Sequence, residues 1–373
     1  MKNNYLNFIF LIFISLLFTS NIESSEEFNF NVSEIKISDD GNLYKGYGGG
    51  EILTNDGIKI TSENFEYDKK TQHLTLKDNV KYEDKNKNLI INADKISYFK
   101  LEEKIVAKGN VFIKDQKKKI SINGEKILYL KAEGKINIYN NVIYKDDEQK
   151  FTLFSESIEY LKNLEKTVAN GNVKLNSSSQ NIIIKSEKIT YEKKRNEFYT
   201  EGLTEANIKS KYLFNSRDVN FNKNEMRLFS EKKTTIKDNI NSFYELSKFD
   251  YDIENELLKA KNLTVIRNSN LPINENDRYF FESGFFDLKN NNFTTGPTKI
   301  FLRKNTFDRS ENDPRIYGIS SNYKDGVTSI KKASFTSCKK NDKCPPWSLQ
   351  ASEIKHDTNK NQLIYDNSII KFY

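Results

Sequence analysis

Few residues in this chain have the type and spacing to do chemistry. Cys338 and Cys344 are its only cysteines, with five residues between them. Two thiolates with no histidine nearby are half of a zinc site. In an exported protein the default for such a pair is a disulfide. A local Cys338–Cys344 bridge and unpaired thiols awaiting a partner chain are both open. The two histidines, His73 and His356, have no Cys or Ser beside them in a nucleophile–base arrangement. Gly46-Tyr47-Gly48-Gly49-Gly50 lacks the spacing and the closing Lys-Ser/Thr of a phosphate loop, and no helical pattern follows it. Carboxylates are many but scattered through turns. These patterns predict no enzyme, no metal and no cofactor.

Composition narrows the class further. The 373 residues carry 59 Lys+Arg against 52 Asp+Glu, a net charge of +7. That balance is too even for a nucleic-acid-binding tail, and no nucleic-acid partner is expected. Charged residues make up 30% and the hydrophobic set 36%, which by itself leans towards disorder. Only 5 prolines and a 13% aromatic content oppose that reading and suit half-buried strands.

The N-terminus has the three-part shape of an export signal. Lys2 is followed by an apolar run from Phe8 to Phe18, broken only by Ser15, and then by small and polar residues through Ser25. The run is short of the roughly 20 residues a spanning helix needs. Residues 1–25 are therefore read as a cleaved signal peptide, with an uncleaved anchor as the alternative.

Most of the remainder is a 31-residue repeat, the feature to seek first in such a chain. Tyr67, Tyr98, Tyr129, Tyr160 and Tyr191 are 31 apart. So are Ile58, Leu89, Ile120, Phe151 and Ile182, and so are Ile60, Ile91, Ile122, Leu153 and Ile184. Small residues (Ser62, Ala93, Gly124, Ser155, Ser186) hold the middle column. A second strand in each repeat carries Leu74, Ile105, Ile136, Thr167 and then Val80, Val111, Val142, Val173. Asp78-Asn79, Gly109-Asn110, Asn140-Asn141 and Gly171-Asn172 interrupt it with a bend signal.

Within each half-strand the apolar residues alternate, the period of a strand with one buried face. The five-residue step from Ile91 to Ile96 has odd parity, so a bend or bulge near Ala93 must re-aim the face. Each repeat thus reads as two long antiparallel strands, kinked in the middle. The alternative is a parallel β-helix with one coil per repeat. Phe214, Val219, Phe221, Phe249, Tyr251 and Phe286 continue the register more loosely, with a longer loop over 267–277. The expected organisation is a signal peptide (1–25), a repeat-built all-β jellyroll (26–302), and an irregular junction segment (303–373). The fourteen positions Ile58, Ile60, Leu89, Ile91, Ile120, Ile122, Phe151, Leu153, Ile182, Ile184, Val80, Val111, Val142 and Val173 form its apolar face.

Two stretches carry a family resemblance. "KIVAKGNVFIKDQKKKISINGEKILYLKAE", Lys104 to Glu133, resembles the organic-solvent-tolerance (OstA-like) module of the lipopolysaccharide transport bridge, a likeness extending over most of 33–289. "GISSNYKDGVTSIKKASFTSC", Gly318 to Cys338, with "CPPWSLQASEIKHD", Cys344 to Asp357, is similar to the segment that leads into the barrel of the LptD family. In that family a large outer-membrane barrel follows this point; here the sequence stops at Tyr373.

The resemblance implies an OstA-like jellyroll at the periplasmic face of the outer membrane. It would pass lipopolysaccharide acyl chains along an apolar groove lined by the fourteen positions above. The implied partners are lipopolysaccharide, a periplasmic bridge protein, and an outer-membrane barrel with its lipoprotein plug. In that family the periplasmic cysteines can bond to the barrel. The lysine-rich turns Lys117-Lys118-Lys119 and Lys331-Lys332 would then meet lipid phosphates, or else be solvated strand connections. The competing function is a secreted structural or adhesive β-solenoid without lipid cargo.

Overall fold

The computed structural model describes residues 28–266, 269–272, 275–307, 311–339, 345–360 and 362–373. Residues 1–25, read above as a signal peptide, and Cys344 lie outside them. The described residues form one sheet of 29 strand segments with no α-helix. Each long strand pairs antiparallel with the one before and the one after it, as in Leu89–Phe99, Lys104–Asp115, Ile120–Leu130 and Lys135–Asp146. This excludes the parallel β-helix.

The kink has a definite structure. In Leu89–Phe99, Leu89, Ile91 and Ala93 point inward, Asp94 and Lys95 both point outward, and Ile96 and Tyr98 point inward again. The pairing register slips between Asn92 and Lys95. The compensating residues sit on the neighbouring strand, where Gly109 and Asn110 have φ of 77° and 46°. Asp78-Asn79, Asn140-Asn141 and Gly171-Asn172 repeat this pair of left-handed residues. Only Gly, Asn and Asp adopt that conformation readily. The carboxylate one place after each small residue fastens the corner. Asn110 donates to Asp94 at 2.9 Å, Asn141 to Glu125 at 3.1 Å and Asn172 to Glu156 at 2.8 Å. The glycine cluster belongs to the same device: the register breaks between Tyr47 and Gly50, with Gly48 and Gly49 at φ of 77° and 83°.

After Ile208 the strands break into shorter segments, such as Tyr212–Arg217 and Asn220–Asn222, which both pair with Glu197–Ile208, but the meander persists. Phe214, Val219, Phe221, Phe249, Tyr251 and Phe286 are all buried. The sheet runs on without a break at residue 302, since Thr298–Phe301 pairs with Arg315–Gly318. Val327–Thr336 and Trp347–Asp357 follow as long paired strands. The weaker periodicity after Arg303 reflects connections of uneven length rather than a change of architecture.

The corner accounts for one testable difference. Asn110→Val forces a branched side chain into the left-handed region and is expected to cost about 1–2 kcal/mol. Asn110→Gly keeps that conformation accessible and should cost less. Urea unfolding of the two variants checks this; equal losses would mean that the corner does not depend on the left-handed pair.

Candidate functional site

The kink turns each strand through a corner, so its two halves contribute to two facing layers. All fourteen predicted apolar positions lie between those layers and are buried, none more than 4% exposed. Leu74, Ile105, Ile136 and Thr167 join them, with Tyr98, Tyr129, Tyr160 and Tyr191. Aromatic contacts knit neighbouring repeats: the Phe151 ring lies 4.8 Å from Tyr191 and 5.0 Å from Phe198, edge-on to both. The interior over these repeats is filled by side chains, not an open trough.

What closes it is a set of contacts that the apolar pattern does not reveal. Hairpins alternate between the two ends of the strands, giving two rows of turns. One row contains 85–88, 116–119 and 147–150; the other contains 131–134, 162–165 and 193–196. The rows touch. Asp115, buried at the end of its strand, accepts from the amide of Lys118 at 3.1 Å and from the Tyr160 hydroxyl at 3.1 Å, and pairs with Lys162. One repeat on, Asp146 pairs with Lys193 at 2.7 Å, and Asn196 reaches Gln149 at 2.8 Å. One repeat earlier, Asp56 takes this part, meeting Lys100 at 3.1 Å and the buried Lys131 at 3.6 Å. Lys118 pairs with Glu165, and Lys211 with Glu256, across the same gap. These contacts form a seam along the meeting margins. Its residues are themselves periodic: Lys100, Lys131, Lys162 and Lys193 are 31 apart, as are Asp84, Asp115 and Asp146.

The seam's electrostatics follow from its partners. Burial pushes the Asp56 carboxyl up, but hydrogen bonds from Thr54 and Lys100 and the charges of Lys100 and Lys131 outweigh it, leaving Asp56 below the ordinary value. The hydrogen bond from Lys193, then its charge, holds Glu148 low. Burial, then the charge and hydrogen bond of Asp115, raises the Tyr160 hydroxyl far above the phenol range. Tyr160 is therefore a donor at any physiological pH.

The other singled-out residues are structural neighbours rather than a site. His73 stacks on Phe99 at 4.2 Å. His356 is buried within Trp347–Asp357, opposite Thr328. Cys338 is half-buried, and its carbonyl accepts from Arg315 at 2.6 Å; the pairing with Cys344 falls outside the described residues. Lys331 pairs with Glu353 at 3.0 Å. Trp347 packs edge-on against Phe335 at 6.0 Å.

These features define a class of protein: a repeat-built antiparallel β-roll with an apolar interior sealed along one margin by ion pairs. Within it, residues 59–197 match the family described as "LptA/(LptD N-terminal domain) LPS transport protein", a little over a third of the chain. No curated protein matches. Among solved structures, similarity is found to LptH of Pseudomonas aeruginosa, the LptA-homologous periplasmic component of its lipopolysaccharide transport device. That match has 16% identity and a TM-score of 0.28, over 32% of this chain and 85% of that one. The WD40 domain of SCAP from fission yeast is also matched, at 9% identity and a TM-score of 0.13, over 92% of this chain and 88% of that one. Both scores are too low to bear on function.

The seam implies an asymmetry between its ion pairs and ordinary surface ones. Lys162→Met leaves the buried Asp115 carboxylate unpaired and should cost about 3 kcal/mol. Adding Asp115→Asn, whose one amide oxygen keeps the turn contact with Lys118 while its NH2 can donate to the Tyr160 hydroxyl oxygen, should recover most of that. Lys185→Met, which breaks an exposed pair with Glu205, should cost under about 1 kcal/mol. Urea denaturation of the three variants is the check, and a double mutant no better than Lys162→Met would contradict the seam's role.

Proposed function

We propose that this chain is the periplasmic part of an outer-membrane lipopolysaccharide transport and assembly system. It works at the periplasmic face of the outer membrane, having been exported through the signal read in residues 1–25. Its roll receives lipopolysaccharide from a periplasmic bridge protein, and the acyl chains pass between the two layers. They are handed on to an outer-membrane barrel with its lipoprotein plug. The observation that carries this reading is the family match over 59–197, which falls on the repeats whose inward columns are unbroken.

The reading requires movement. Ile60, Ile91, Leu153 and Ile184 are each wholly buried, so a chain can lie beside them only if the layers part. The seam is where they can part. Its contacts are polar and their partners can be replaced by water, whereas the corners are held by backbone pairing on both sides. The lipid phosphates are suited to become counter-ions of the seam lysines once their carboxylate partners separate. No step calls for catalysis, a metal or a cofactor.

The filled interior favours one other reading, a secreted structural or adhesive roll whose apolar columns serve stability alone. One experiment separates the two. A photo-crosslinking residue placed at Ile122, between the layers, should capture lipopolysaccharide in cells; the same residue at Lys117, on an exposed turn, should not. Equal capture at both positions, or none at either, would remove the transport reading and leave the structural one.

A further inference from the structure

The seam is not sealed throughout. Up to Glu256 each turn on one margin meets a turn roughly one and a half repeats later, as Asp115 meets Lys162, 47 residues on. The next turn of the first row, Asp238–Ser242, should by that offset meet the chain near Asp287–Lys289. Instead a cavity of about 530 Å³ lies between them. That is within the range of about 300–1,000 Å³ typical of small-ligand pockets. It is lined by Tyr212, Tyr244, Tyr279, Phe281, Phe286 and Phe293. The cavity borders the packed interior: Tyr212, on its wall, lies edge-on to the buried Tyr251 at 5.9 Å.

Several polar groups at this place are already engaged. The Tyr244 hydroxyl donates to Asp238 at 3.2 Å, and the Tyr212 hydroxyl to Glu256 at 3.3 Å. Asp238 also accepts from the amides of Ile240 at 3.0 Å and Ser242 at 2.7 Å, and Asp287 from that of Asn290 at 2.9 Å. Lys211 is paired with Glu256. The inner wall is made of these aromatic rings, while Asn239, Asn291 and Asn292 and the carboxylates of Asp238 and Asp287 stand at the turns around its mouth, so that nearly half of its surface is polar. The rim adds a second lysine, Lys289. The ring-lined inner part suits a hydrocarbon chain, because the polar groups of a sugar or a peptide would go unpaired against those rings.

We infer that the gap between Asp238–Ser242 and Leu288–Asn292 is a side portal that takes one fatty acyl chain of an anionic amphiphile, with the head group outside near Lys289. The inference rests on the lipid-conducting reading above. It adds where the chain first enters or finally leaves, without prior parting of the sealed repeats.

A photoreactive palmitate analogue carrying a diazirine near the end of its chain tests this on the full-length mature protein, with labelled peptides mapped by mass spectrometry. Saturable labelling within 238–244 and 279–293, at least tenfold above that within 59–197 and competed by unlabelled palmitate, is the expected result. Phe286→Arg should lower it at least tenfold. Phe285→Arg, at the neighbouring position that is 63% exposed, should leave it unchanged. Labelling confined to 59–197 would overturn the portal and leave the lipid-conducting reading standing. No saturable labelling anywhere would overturn both. Labelling within 238–293 that Phe285→Arg abolishes and Phe286→Arg spares would place the ligand on the outer face of the sheet and overturn the portal.

Discussion

The roll depends on one backbone constraint: a strand that must keep apolar side chains on one side cannot turn a corner without losing a step of its alternation. Here the step is lost at Asp94-Lys95 and its equivalents, and two left-handed residues on the next strand absorb the difference. Repeated every 31 residues, the slip folds one meandering sheet into two layers instead of a flat ribbon. The remaining features follow. Two layers can bury the apolar columns. Their free ends form two rows of turns, and the rows can meet. A flat sheet with the same residues would leave its apolar face in water.

Closing the roll with buried ion pairs instead of more leucine is consistent with a margin that has to reopen. An apolar seam would gain from burial over its whole area and part only at a correspondingly large cost. A buried ion pair is worth much less in net terms, because desolvation offsets most of its attraction, yet it fixes which turn faces which. The contrast runs along the chain. The repeats up to Glu256 are sealed by Asp–Lys and Lys–Glu contacts, and the stretch beyond them leaves a space lined by aromatic rings. The residues that match the transport family lie within the sealed stretch, and the opening lies outside that match.

How much of this was legible in the sequence depends on the range of each interaction. The columns through Ile58, Ile60 and Val80 were legible because burial repeats them residue for residue. The corners were legible because Asn at 79, 110, 141 and 172 marks a conformation few other residues accept. The seam was not read, although its lysines and aspartates keep the same 31-residue interval. They stand in turns, where charge is ordinarily solvated, and by sequence the Lys117-Lys118-Lys119 turn reads equally as a solvated connection or a phosphate contact. Whether Asp115 meets Lys162 or some other lysine depends on how far the sheet coils between them. That quantity accumulates over several strands and leaves no mark in any one. The loosened register after Ile208 has the same origin, since uneven connections such as 267–277 shift the period without altering which residues face inward.

Lipid transport through this roll requires the seam to be both the closure of the interior and the place where it opens. The most direct measurement locks it. In a chain with Cys338 and Cys344 changed to Ser, Asp115→Cys and Lys162→Cys place two thiols on opposite margins, and a cleavable bis-methanethiosulfonate linker joins them. A photo-crosslinker at Ile122 then reports whether lipopolysaccharide enters. Capture should fall at least tenfold in the linked protein and return when the linker is reduced, while the same linker on Lys185→Cys and Glu205→Cys, within one layer, changes nothing. Undiminished capture in the linked seam would contradict the claim that the interior opens there.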